Sequence, residues 1–141
     1  MKREIKFRAW NKKQKKMFQV ERIDFDFDTG NRIETVDIIP ENPQDDHPSR
    51  SIHSVELMQF TGLKDRFGNE IYEGDIINGY GGAEWNGCYE FDLWGVIKYM
   101  GAGFFLSQNN DEERYNLTHL YENMEIEVKA NIYENPKFLE D

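Results

Sequence analysis

Short runs in which apolar and polar side chains alternate, cut at close intervals by turn-forming residues, constrain this chain more than anything else in it. Ile5, Phe7 and Ala9 alternate with Lys6, Arg8 and Trp10, and Ile126, Val128, Ala130 and Ile132 alternate near the other end. A period of two sends successive side chains to opposite faces of an extended backbone, so such a run buries one face only as a strand. The apolar share is a modest 38%, but aromatics make up 14% of the chain, so large rings must supply much of the burial.

The pattern divides the N-terminal part into a hairpin and a return strand. Residues 11–16 (Asn11 to Lys16) lack an apolar side chain and read as a loop, after which Met17, Phe18 and Val20 resume the strand. Residues 4–22 therefore predict a hairpin with a basic tip. Beyond Val20 the apolar phase slips to Ile23, Phe25 and Phe27, which predicts a bulge or bend near Glu21-Arg22 and a continuing apolar face. Thr29-Gly30-Asn31 supplies a turn, and Ile33 to Ile39 returns as a strand. From Pro40 to Ser51 the texture changes: this stretch holds three of the four prolines, which cannot donate to a ladder, and reads as a loop or linker.

The rest of the chain repeats the β pattern. Val55 to Phe60 and Ile71-Tyr72 flank a tight connection at 64–69, where Gly68 can take a positive φ. Glu73-Gly74-Asp75 is a turn leading into a strand, and residues 78–88 read as glycine-rich loop with a turn at Asn86-Gly87. Tyr89, Phe91 and Leu93 alternate, and residues 96–100 and 104–106 form a hairpin about Gly101-Ala102-Gly103. Leu117, Leu120, Tyr121 and Met124, at helical spacing, predict a short helix. Asn135-Pro136 opens a terminal helical turn. The expected fold is mainly β: an N-terminal β-hairpin region at 1–39, a proline-rich linker or loop at 40–54, and an SH3-like or otherwise barrel-like β part at 55–141 with at most short helices. The parts stand separately or as one integrated domain.

Charge is unevenly placed. Residues 1–22 hold nine basic groups against Glu4 and Glu21, a net of +7, whereas the remainder carries −17 of the overall −10. A basic arm for an anionic partner and a solvated lysine-rich hairpin both fit this layout. No apolar run spans a bilayer and no apolar stretch follows the N-terminal charges, so neither a membrane span nor a secretory signal is expected. The single Cys88 allows no internal disulfide, and a reducing cytoplasm is the expected setting.

Chemical constellations fare poorly. Asp24-Phe25-Asp26-Phe27-Asp28 resembles the opening of a calcium loop, but Thr29 and Thr35 stand where such a loop needs glycine and glutamate, and strand alternation explains the run more simply. His47, His53 and His119 are scattered without metal-ligand spacing. Cys88 carries no hydrolase signature, there is no G-x-S-x-G, and Gly79-Tyr80-Gly81-Gly82 lacks the ending of a phosphate loop. The expectation is no enzyme, no catalytic residue, no cofactor and no metal.

Three segments carry a more specific signal. They are Lys6-Phe7-Arg8-Ala9-Trp10 followed by Lys15-Lys16-Met17, the run LMQFTGLKDRFGNEIYEGDII at 57–77, and Asn131-Ile132-Tyr133-Glu134-Asn135-Pro136. Together they resemble the YopX family of phage- and prophage-encoded proteins. The resemblance implies a phage or prophage origin, a β-rich fold and a place in the bacterial host cytoplasm, and no catalytic residues. Arg8, Trp10, Gln59, Thr61, Asp65, Gly74, Asp75, Asn131 and Asn135 match its pattern, while Ala130 stands where the family usually has glycine. Asp65 and Asp75 beside glycines read as turn formers. Arg8, Trp10 and Gln59 are not turn residues.

The expected function is a phage or prophage accessory protein, a non-catalytic module that binds a host or phage protein. Arg8, Trp10, Lys12, Lys13, Lys15, Lys16 and Gln59 are its candidate surface, and Trp85 and Trp94 are further candidate contacts. Nucleic-acid binding through the basic hairpin 2–22 is an alternative that the acidic remainder opposes. Others are an acidic DNA mimic that inhibits a host protein, and a homo-oligomer in which basic and acidic patches meet.

Overall fold

The structure, a computed structural model, describes residues 4–42, 44–81, 91–101, 103–107, 117–119 and 125–139. Its described residues are almost entirely strand, loop and turn, and its helical pieces are single 3-10 turns at Ile52–Ser54 and Pro136–Leu139. The mainly β expectation therefore holds. No helix among the described residues is long and apolar enough to cross a membrane. The chain forms two units, Lys2–Gln59 and Phe60–Asp141, and it passes from one to the other within a single strand.

In the first unit β1 (Phe7–Asn11) lies between β2 (Lys16–Phe25) and β5 (Val55–Lys64), with β3 (Ile33–Ile38) and β4 (Ser49–Ser51) continuing outward from β2. All neighbours are antiparallel. The predicted phase slip is a register shift between Val20 and Arg22 against Ile38 and Asp37. By inserting one unpaired residue, it lets Val20 and Ile23 both pack on the buried cluster of Ala9, Val36, Ile38 and Val55. The predicted apolar continuation fails beyond Ile23. A second shift falls between Asp24 and Phe25 and β2 ends there, leaving Phe25 55% and Phe27 99% exposed. Residues 49–51 of the proline-bearing stretch pair with β3 as β4.

The basic tip is a designed turn rather than slack chain. Asn11 is 5% exposed, and its Oδ1 accepts from the N–H groups of Lys13 (3.1 Å) and Gln14 (3.0 Å), while its carbonyl accepts from Lys15 N–H (2.8 Å). Lys15 closes the turn at φ 54, a conformation costly for a side chain bearing Cβ. Lys15→Gly is expected to stabilise the unit by up to about 1 kcal/mol, read as a higher urea midpoint. A lower midpoint would show the lysine stem to matter more than the backbone.

The second unit pairs the end of β5 with β6 (Glu70–Tyr72) and builds a separate five-stranded sheet. Its order is β10 (Leu117–His119), β9 (Gly103–Ser107), β8 (Phe91–Met100), β7 (Asp75–Gly81), β11 (Glu125–Asn131). Ile71, Ile77, Ile97, Leu106 and Ile126 make its core. Gly68 turns the β5–β6 hairpin at φ 85, as its sequence context predicts. Two local readings are overturned. Residues 78–81 belong to β7, laddered on β8 and β11, because two neighbours supply the hydrogen bonds that outweigh the weak strand preference of glycine. Residues 117–119 are not helical but pair with Ser107, Leu106 and Phe105 of β9, so a tertiary ladder outweighs the helical spacing. Leu120, Tyr121, Met124 and the Asn86-Gly87 turn lie outside the described residues.

Candidate interaction surface

The residues matching the family pattern serve mostly as architecture. Asp75, 1% exposed, accepts from Tyr72 N–H at 2.8 Å and so closes the turn ahead of β7. Thr61 Oγ1 donates to the Ile71 carbonyl at 2.8 Å. Asn131 repeats the arrangement at Asn11: its Oδ1 accepts from Tyr133 N–H (3.1 Å) and Glu134 N–H (2.8 Å), and its carbonyl from Asn135 N–H (2.9 Å). Pro136 follows Asn135 and starts the terminal 3-10 turn. Asp65 binds four groups, including Val128 N–H of β11 at 3.0 Å.

Arg8, Trp10 and Gln59 do not form one constellation. On β1 the side chains of Arg8 and Trp10 share a face, with Gln19 and Met58 opposite Arg8 and with Met17 and Glu56 opposite Trp10. Gln59 lies opposite Phe7 and so faces the other side, with Ala9. All three are half-buried. Trp94 stands in β8 opposite Asn78, and Trp85 and Cys88 lie outside the described residues. Among the described residues no group of three or more His, Cys, Asp or Glu could hold a metal ion.

Lys12, Lys13, Lys15 and Lys16 are gathered at the exposed β1–β2 turn. Lys12 Nζ lies 3.2 Å from Glu56 Oε1 and donates to the His53 carbonyl, and Lys16 Nζ lies 3.0 Å from Glu41 Oε1. Half of the tip's charge is thus already met within the unit, which leaves less for a phosphate backbone than the residue count suggests. Lys13 and Lys15 make no ion pair among the described residues.

Sequence reasoning read a turn at the opposite end of β2 but missed what anchors it. There Asp26 organises the loop to β3. Its Oδ1 accepts from Asn31 N–H and Arg32 N–H, each at 2.9 Å. Its Oδ2 accepts from Thr29 Oγ1 (2.7 Å) and Thr29 N–H (3.2 Å). The Arg32 N–H, then the Thr29 hydroxyl, hold the Asp26 carboxyl down at about 2, so it stays ionised far below neutral pH. This braced loop carries the fully exposed Phe27, and the more than half-exposed Phe25 ends β2 beside it. The turn at Thr29-Gly30-Asn31 was legible in the sequence, but the part of Asp26 was not, because that aspartate stands inside an alternating run.

Residues 6–140 match the sequence model of the YopX protein family. The chain belongs to the YopX family. Among solved structures it is similar to protein EF1440 from Enterococcus faecalis, whose crystal structure superposes with a TM-score of 0.60 at 26% identity. The match covers 98% of this chain and 99% of that one. Among curated proteins, none matches. The match to the YopX family model runs nearly end to end and takes in both units, including the turn after β2 that Asp26 organises.

Proposed function

We propose that this YopX protein is a phage or prophage accessory protein of the bacterial cytoplasm, a non-catalytic module that binds other proteins. The observation carrying the reading is the Phe25–Phe27 loop, where two large rings are held out in solvent by a loop pinned through Asp26. Constrained exposed aromatics lose little entropy on binding and are favoured at interface centres. The family-pattern polar groups Asp65, Asp75 and Asn131 accept from main-chain N–H groups, which supports reading them as architecture.

The test is affinity capture by immobilised full-length chain from bacterial lysate at low salt, comparing the native protein with F25S/F27S. Both rings are exposed, so the variant should keep its stability to within about 0.5 kcal/mol. At least one protein recovered by the native chain should fall more than about tenfold, since a hot-spot ring is worth about 2 kcal/mol. Recovery of nothing above a bare-resin control, or equal recovery by both chains, would overturn the reading.

A further inference from the structure

The first unit carries complementary surfaces at the two ends of one strand. β2 begins at Lys16, beside the lysine tip, and ends at Phe25, beside the aromatic loop. At the tip, Lys12, Lys13, Lys15 and Lys16 outnumber Glu41 and Glu56, their ion-pair partners. At the loop, Asp24, Asp26, Asp28 and Glu34 outnumber Arg22 and Arg32, of which Arg22 is already paired with Asp24 at 2.9 Å. The exposed rings of Phe25 and Phe27 add faces on which an ammonium group can rest.

One molecule cannot bring these ends together. A ten-residue strand spans about 30 Å at roughly 3.3 Å per residue, and β2 is hydrogen-bonded to β1 on one side and β3 on the other. That span exceeds both the reach of a lysine and the Debye length of about 8 Å in physiological salt. Lys13 and Lys15, which make no ion pair among the described residues, are therefore out of reach of that acidic loop within one molecule.

We propose that this YopX protein self-associates head to tail, the Lys12–Lys16 tip of one copy seating on the Phe25–Phe27 loop of the next. The proposal rests on reading that loop as a binding surface and names its partner. Such a contact is heterologous: a joined pair still has one tip and one loop free, so copies add in rows or close into rings. Tip lysines lie against the rings and beside Asp26 and Asp28. Salt weakens the charged part of the contact and leaves the apolar part.

Sedimentation velocity on the full chain tests it through complementation. The native protein should gain mass between micromolar and about 0.5 mM, and less so in about 1 M than in about 0.05 M salt. K13E/K15E and F25S/F27S should each weaken association at least tenfold and sediment as monomers. Mixed, they should form a 1:1 dimer that grows no further, because each retains the one end the other lacks. A native chain that stays monomeric throughout, a variant that associates as the native chain does, or a mixture without dimer would each overturn the proposal. Should the native chain be monomeric while lysate capture still depends on Phe25 and Phe27, the loop binds a different protein; loss of both results removes the binding reading itself.

Discussion

Asp65→Ala is expected to lower the unfolding free energy by about 2–4 kcal/mol, seen as a fall in the urea midpoint at unchanged m. The side chain is 6% exposed, and its two oxygens accept from Phe67 N–H (2.9 Å), Asn69 N–H (2.8 Å), Asn69 Nδ2 (3.1 Å) and Val128 N–H (3.0 Å). The first three shape the β5–β6 turn, and the fourth fastens that turn to β11, sixty-three residues away. Arg66 N–H, donating to the Ile126 carbonyl at 3.0 Å, makes a second link along the same strand. Alanine would strand main-chain donors that water can reach only in part, which is costlier than losing a satisfied pair. Asp65→Asn keeps one accepting oxygen and turns an N–H₂ towards donors, so it should recover no more than about half of the loss. A change below about 0.5 kcal/mol in the alanine variant would contradict this account.

The same carboxylate sets an acid limit. Burial, the largest single influence, pushes the Asp65 carboxyl up, yet the hydrogen bonds from Val128, Asn69 and Phe67 together outweigh it and hold it below its ordinary value. The unfolded chain therefore binds the proton more readily than the folded one. The stabilisation is present above an unfolded pKa of about 3.9 and disappears as pH falls through the lower folded value. The gap between the native chain and Asp65→Asn should accordingly narrow below about pH 4.

Gly95→Ala should be at least as damaging, with a loss of about 3 kcal/mol or more. A Cβ at Gly95 would lie 2.4 Å from the Ser107 carbonyl oxygen, 2.9 Å from its carbon and 2.8 Å from Leu106 Cδ1. Leu106 could shift its methyl, but the Ser107 backbone belongs to β9 and pairs with Val96. Relief means prising β8 from β9 beside the fully buried Leu106 and Ile97. A thermal melt reads the effect directly, and a midpoint within about 1 °C of the native value would sink it. Gly62, by contrast, has open space at its Cβ and a φ of 88, so substitution there strains the backbone without a collision.

Local side-chain pattern was enough to determine the β class, the basic hairpin, the bulge after Val20, the turn at Gly68 and the final strand, because alternation and turn chemistry act over a few neighbouring residues. Asp65, Asp75 and Asn131, which carry part of the family resemblance, each satisfy particular backbone groups here. Tertiary structure alone decided the rest. Residues 78–81 and 117–119 became strands because neighbouring ladders offered hydrogen bonds that their own propensities do not reveal. Gln59 parted from Arg8 and Trp10 because cross-strand register, not sequence proximity, assigns a side chain to a face. Phe25 and Phe27 continued an apolar rhythm on paper and yet stand in water, since burial depends on whether another strand arrives to cover them.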